Sequence, residues 1–166
     1  MTFDLQSASA SEAKSYVRTN VHNGVRCPCC EQYAKVYKRT VNSAMARLLI
    51  WLHRKSQQEY RWYNIHEFPL IQGRRGGGDF AKLTYWGLVK SYDQDVEHGT
   101  QSSSTYSLGS GKWKIEADGS SFVEGQKLIK KYANVYNGTL LGLSGDMIGI
   151  STCLGTHFSL EELMNE

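Results

Sequence analysis

The clearest pattern in the chain is an apolar stripe: Val41, Ala44, Met45, Leu48, Leu49 and Leu52 recur at i, i+3, i+4, i+7, i+8 and i+11. That spacing predicts a helix over roughly Asn42 to Lys55, its stripe in the core and Thr40 or Asn42 at its N-cap. His53, one residue past the stripe, reads as part of the polar face. Upstream, Glu12 to Val17 allows a short helix. Tyr33 to Lys38 alternates by period two as one strand, with Tyr33, Lys35 and Tyr37 opposite Ala34, Val36 and Lys38. Downstream, Tyr60 to Ile65 is aromatic and β-prone and predicts a short strand. His66 to Gln72 allows one or two helical turns, interrupted at Pro69.

Gly76 to Val89 (Gly-Gly-Gly-Asp-Phe-Ala-Lys-Leu-Thr-Tyr-Trp-Gly-Leu-Val) carries both ends of a second helix. Asp79 follows the glycines, where a carboxylate caps the free N–H groups of a first turn. Gly87 stands where the helix must stop. Phe80 and Leu83 share one face, while Lys82 and Tyr85 point elsewhere. Leu88-Val89-Lys90 begins a strand. Lys112 to Glu116 predicts its partner, with Trp113 and Ile115 on one face. The Ser- and Gly-rich run from Asp93 to Gly111 reads as a mobile loop joining them. After Asp118-Gly119 ends that strand, Ser120 to Lys131 predicts a helix with Phe122, Val123 and Leu128 inward.

The tail changes period. Tyr132 to Tyr136 and Thr139 to Leu143 flank Asn137-Gly138, a two-residue hairpin signal. Met147 to Ser151 predicts a third strand, and Ser159-Leu-Glu-Glu162 a capping box opening a last short helix. This small β meander and helix hold no catalytic grouping.

At 166 residues the chain fits one domain, or one domain with a small appended module. The pattern divides it into residues 1–39, 40–131 and 132–166. No run of eighteen apolar residues occurs, which argues against a membrane span. The first residues lack the basic start and apolar stretch of a signal peptide. A cytoplasmic, reducing setting is therefore expected. Three of the four cysteines stand in Cys27-Pro28-Cys29-Cys30. Cys27 and Cys30 have the spacing of half a zinc knuckle, which allows one structural zinc with two further ligands, sought among Cys29, His22, Cys153 and His157. A reduced cysteine cluster in a loop fits the same residues.

Charge sharpens the picture. The net charge of +3 divides unevenly, because residues 33 to 91 hold eleven Lys/Arg against Glu59, Glu67 and Asp79. The remainder holds eight basic and thirteen acidic residues. A basic block around the Asp79–Gly87 helix is the footprint expected for phosphate binding, although a solvated basic face has the same composition.

The order of long helix, short strand, broken helix, capped helix, strand, loop, strand and helix resembles the winged helix-turn-helix family. The layout is MarR-like in Leu83, Gly87, Leu88 and Val89, followed by Trp113 to Gly119. A longer span, from Cys27 through Tyr85-Trp86-Gly87 and Val135 to Gly138 to Met164, is similar to small uncharacterised proteins of bacteria and their phages. The resemblance implies an α+β fold: a winged helix-turn-helix core, an N-terminal Cys-rich turn, and a C-terminal β meander with a short helix. It implies a small phage or bacterial regulator that binds double-stranded DNA, with homodimers allowed. The helix from Asp79 to Trp86 would enter the major groove, bringing Lys82, Thr84 and Tyr85 to bases or phosphates, with Arg74, Arg75 and Lys90 on the backbone. Two departures matter: the proposed wing carries Asp93, Asp95 and Glu97, and Glu31 stands where zinc knuckles often have glycine. The alternative is a protein-binding inhibitor, anti-CRISPR-like or aimed at a host transcription complex, on the same scaffold. An enzyme is not expected. There is no Gly-x-Ser-x-Gly pattern, Gly73 to Gly78 lacks a P-loop ending, and no pattern ties a histidine to the cysteines.

Overall fold

A computed structural model describes residues 8–69, 79–92 and 111–166. It is a mixed α+β chain with open antiparallel sheets, and it divides into two compact units. The first holds residues 1–39 and 132–144, the second 40–131 and 145–166. Residues 132–166, one module in the sequence pattern, thus divide between the two.

In the first unit, helix α1 (Ala10–Asn20) starts at a capping box: the Ser9 side chain accepts from the Glu12 N–H, and the Glu12 carboxylate accepts from the Ser9 N–H at 2.7 Å. Ala13 and Val17, one turn apart, are its buried face. The residues expected as one strand from Tyr33 to Lys38 belong to two. Strand β2 (Tyr33–Ala34) pairs with β1 (Val25–Arg26), and β3 (Tyr37–Arg39) pairs with β7 (Ile129–Tyr136). Val36 breaks the run by donating its N–H to the Val21 carbonyl instead of to a strand. Strand β8 (Thr139–Ile148) follows the Asn137-Gly138 turn, giving the order β3-β7-β8. It runs through Met147, where a separate third strand was expected.

The second unit is built on α2 (Ser43–Gln58), capped by Asn42, whose side-chain oxygen accepts from the Met45 N–H at 2.9 Å. Met45, Leu48, Leu49 and Leu52 are buried as the stripe predicts, and Ala44 is exposed. A second row, Ala46, Ile50 and His53, is buried too. The cause is the number of neighbours: α2 packs against α3 (Ala117–Val123), α4 (Ile150–Leu154), α5 (Leu160–Asn165) and the sheet. His53 is therefore a core residue, 2% exposed, and not part of a polar face. Each fully buried Leu or Ile contributes roughly 2 kcal/mol.

The sheet of this unit has the order β4-β6-β5, all antiparallel, from β4 (Tyr63–Asn64), β5 (Val89–Ser91) and β6 (Lys112–Ile115). β4 is shorter than expected, and one 3₁₀ turn, Ile65–Glu67, follows it. α3 begins at Ala117, earlier than expected, and stops at Val123, because Gly125 takes φ 76° and turns the chain out. The predicted helix over Ser120 to Lys131 is thus replaced by a helix end and the start of β7. Leu128, expected inward, is 49% exposed. Gly119 lies inside α3, so close to the Leu88 carbonyl that an added Cβ would stand 2.1 Å from its oxygen. Among the described residues no helix is long and apolar enough to cross a membrane.

Candidate nucleic-acid interface

The central segment Phe80–Trp86 is a 3₁₀ helix of seven residues. Leu83 and Trp86 are buried one 3₁₀ turn apart, and the Trp86 indole N–H donates to the Lys130 carbonyl at 2.7 Å. The packing of those two side chains three residues apart suits the tighter winding. Gly87 closes the helix in the left-handed conformation, φ 68°, and hands the chain to β5. Asp79 does not cap it. Its carboxylate makes no bond to the first-turn N–H groups and instead accepts from the Lys82 ammonium.

The residues expected to touch DNA are spread. Arg74 and Arg75, and the wing acids Asp93, Asp95 and Glu97, lie outside the described residues, as does most of the Asp93–Gly111 run. Lys82 is held by Asp79. The Thr84 hydroxyl donates back to the Ala81 carbonyl at 2.7 Å, and the half-buried Tyr85 ring lies tilted against Trp86 at 6.5 Å. Lys90, on β5, has its ammonium 3.6 Å from Glu116 and 5.7 Å from the Trp62 ring. Lys82, Thr84 and Tyr85 thus share one short helix, and Lys90 belongs to a different surface, the outer face of the sheet.

That outer face is the grouping sequence reasoning missed. Tyr63, Trp113, Ile115 and Val89 alternate onto one side, with Tyr63, Val89 and Ile115 buried. Lys112, Lys114 and Lys90 alternate onto the other, where Lys90 pairs directly with Lys114. Tyr60, Trp62 and Tyr92 bring three rings to these lysines. Lys114 lies 3.9 Å from the Tyr60 centroid and 5.5 Å from Trp62, and Lys112 lies 5.6 Å from Tyr92. Trp62 and Tyr92 meet edge to face at 5.4 Å. The signal was half present: Lys112 and Lys114 stand opposite the apolar Trp113 and Ile115. The rings come from residues just before β4 and just after β5, which the periodicity of β6 does not place.

The cysteine turn lies in the first unit, between β1 and β2. Cys27 donates its N–H to the Gln32 carbonyl at 2.8 Å, and Glu31 donates to the Cys27 carbonyl at 2.9 Å. Glu31 takes the left-handed conformation, φ 60°, at the position where glycine was the expected knuckle residue. The N–H groups of Cys30 and then Cys29 donate to the Cys27 sulfur and lower its pKa, as a thiolate ligand requires. Cys153 is different: burial pushes its thiol up to about 11. Among the described residues no three His, Cys, Asp or Glu side chains gather into a metal site. Cys27 and Cys30 stand in one tight turn, and a structural zinc there would need two further ligands beyond them. Comparison of the chain with protein-family models, with curated proteins and with solved structures finds no match.

Proposed function

We propose that residues 40–131 are a winged-helix domain that binds double-stranded DNA in the cytoplasm. The observation that carries this reading is the strand order β4-β6-β5. The return strand of the hairpin enters between its partner and the strand that follows the long helix. A three-stranded sheet thereby backs α2 and the Phe80–Trp86 helix, which ends at Gly87 and leads straight into β5. Such a layout can present a short helix to the groove of a duplex.

The internal pairing of Lys82 is compatible with this role. An exposed Lys–carboxylate pair is worth about 1 kcal/mol or less, so the ammonium exchanges Asp79 for a phosphate at small cost. The test is duplex binding by fluorescence anisotropy with the full chain, before and after replacing Arg74, Arg75 and Lys82 by Ala. Weaker binding in the variant supports this docking. Unchanged affinity overturns it, and absence of duplex binding at low salt overturns the DNA reading altogether.

A second reading, a module that binds a host protein complex, draws on a separate observation. Strand β8 is an edge strand among the described residues, and it exposes Leu140, Leu141 and Leu143. Exposed apolar edges are sites of strand addition by another chain. A stoichiometric, nuclease-resistant complex with such a partner that is lost in Leu141→Asp, with duplex binding absent, would favour this reading over the first.

A further inference from the structure

We propose that the outer face of the β4-β6-β5 sheet is a stacking platform for unpaired nucleotides, so that the domain also takes single-stranded nucleic acid. Tyr60, Trp62 and Tyr92 would receive bases, and Lys90, Lys112 and Lys114 would receive the phosphates between them. The proposal rests on the reading that the protein binds nucleic acid, but on a different surface from the duplex-docking helix.

Three observations on this face point the same way. First, it concentrates like charge. Lys90 and Lys114 are directly opposed across β5 and β6, a placement that disfavours the sheet, and Lys112 stands two residues along the same strand. Glu116 lies 3.6 Å from the Lys90 ammonium at the end of this row. Second, two of the three rings are open to solvent, with Tyr60 59% and Tyr92 40% exposed, and Trp62 between them is half-buried. The Tyr60 hydroxyl is tethered to the Ile115 carbonyl at 3.3 Å, which fixes that ring over the sheet. Third, each ring has an ammonium within 6 Å of its centroid, from 3.9 Å for Lys114 on Tyr60 to 5.7 Å for Lys90 on Trp62.

Rings and ammonium groups side by side over one sheet face match the chemistry of a single strand. Every base has a π-face for a ring, and every linkage has a charge for a lysine. An ammonium that now shields a ring would move to phosphate as a base takes its place. A duplex cannot use the rings in this way, because its bases are already stacked on one another. An acidic protein surface would use the lysines and leave the rings idle.

The test is anisotropy of a labelled fifteen-residue oligothymidylate with the full chain at low salt, against a duplex of equal length. Oligothymidylate should bind. Tyr60→Ala together with Tyr92→Ala should weaken it by about tenfold or more, the size expected for lost base stacking. Both rings are exposed, so these truncations leave the core intact. Trp62→Phe, which keeps a ring, should bind as the parent does. Duplex affinity should change little in the ring variants. Failure of oligothymidylate to bind while the duplex binds overturns the platform and leaves the winged-helix reading standing. Failure of both overturns both. If binding falls on Lys112→Ala with Lys114→Ala but not on loss of the rings, the face is only a charge surface, and stacking is wrong.

Discussion

His53 is the residue at which packing and protonation conflict most. It is buried in α2, its Nδ1 has no hydrogen-bond partner among the described residues, and its Nε2 lies 3.5 Å from Glu124. Desolvation lowers its pKa below the ordinary 6.5, and Glu124 opposes that shift. The unfolded chain therefore binds this proton first as the pH falls, so the stability is complete above about pH 6.5 and declines toward the folded pKa. Removing the opposing carboxylate should deepen the decline. Glu124→Gln is expected to lose more thermal stability than the parent between pH 7.5 and pH 5.5, and a smaller loss would show that Glu124 does not act on His53. Glycine positions separate in a similar way. Gly119→Ala drives a Cβ against the Leu88 backbone and should cost about 3 kcal/mol. Gly87→Ala meets no atom within 4 Å and pays only for its φ of 68°, about 1 kcal/mol. Urea unfolding of the two variants measures the difference, and equal costs would mean that α3 can shift away from Leu88.

At the scale of elements, local signals were legible where the chain decides its own structure and misleading where a neighbour decides. Asn42, the stripe of α2, Gly87 and the Asn137-Gly138 turn all act within a few residues of themselves, and each stands where the sequence pattern puts it. The burial of His53 depends on three further helices packing on α2. The splitting of Tyr33 to Lys38 depends on β7, nearly a hundred residues away. Periodicity reports neither. Asp79 has a cap's position in the sequence because it precedes the helix, but the 3₁₀ winding and Lys82 take its carboxylate elsewhere. The two aspartate- and asparagine-type starts should therefore respond differently. Asn42→Ala should cost about 1 kcal/mol of stability, the usual value of a lost N-cap. Asp79→Ala should cost under about 0.5 kcal/mol, since it removes only an exposed ion pair. A large loss for Asp79→Ala in chemical denaturation would restore the capping role.

For the whole molecule, charge placement makes the DNA reading quantitative. The basic block from residue 33 to 91 is offset by an acidic excess elsewhere, so the net charge of +3 understates the charge of that stretch. Arg74, Arg75 and Lys82 are the cations assigned to duplex phosphates. Three phosphates neutralised give a slope of log affinity against log salt of about −2.7. Raising salt fourfold, from about 50 to about 200 mM, should then weaken duplex binding by roughly 40-fold. A slope shallower than about −1.8 would mean that fewer than two of these cations contact the backbone. A slope steeper than about −4 would bring in further lysines, with Lys90, Lys112 and Lys114 on the sheet as the first to test. Asp79→Ala supplies an internal control on the same titration. It frees Lys82 and removes a negative charge beside it, so duplex affinity should rise by about threefold at low salt, with the gain shrinking as screening grows. Loss of affinity in that variant would mean that the Asp79–Lys82 pair orients the helix and does not compete with DNA.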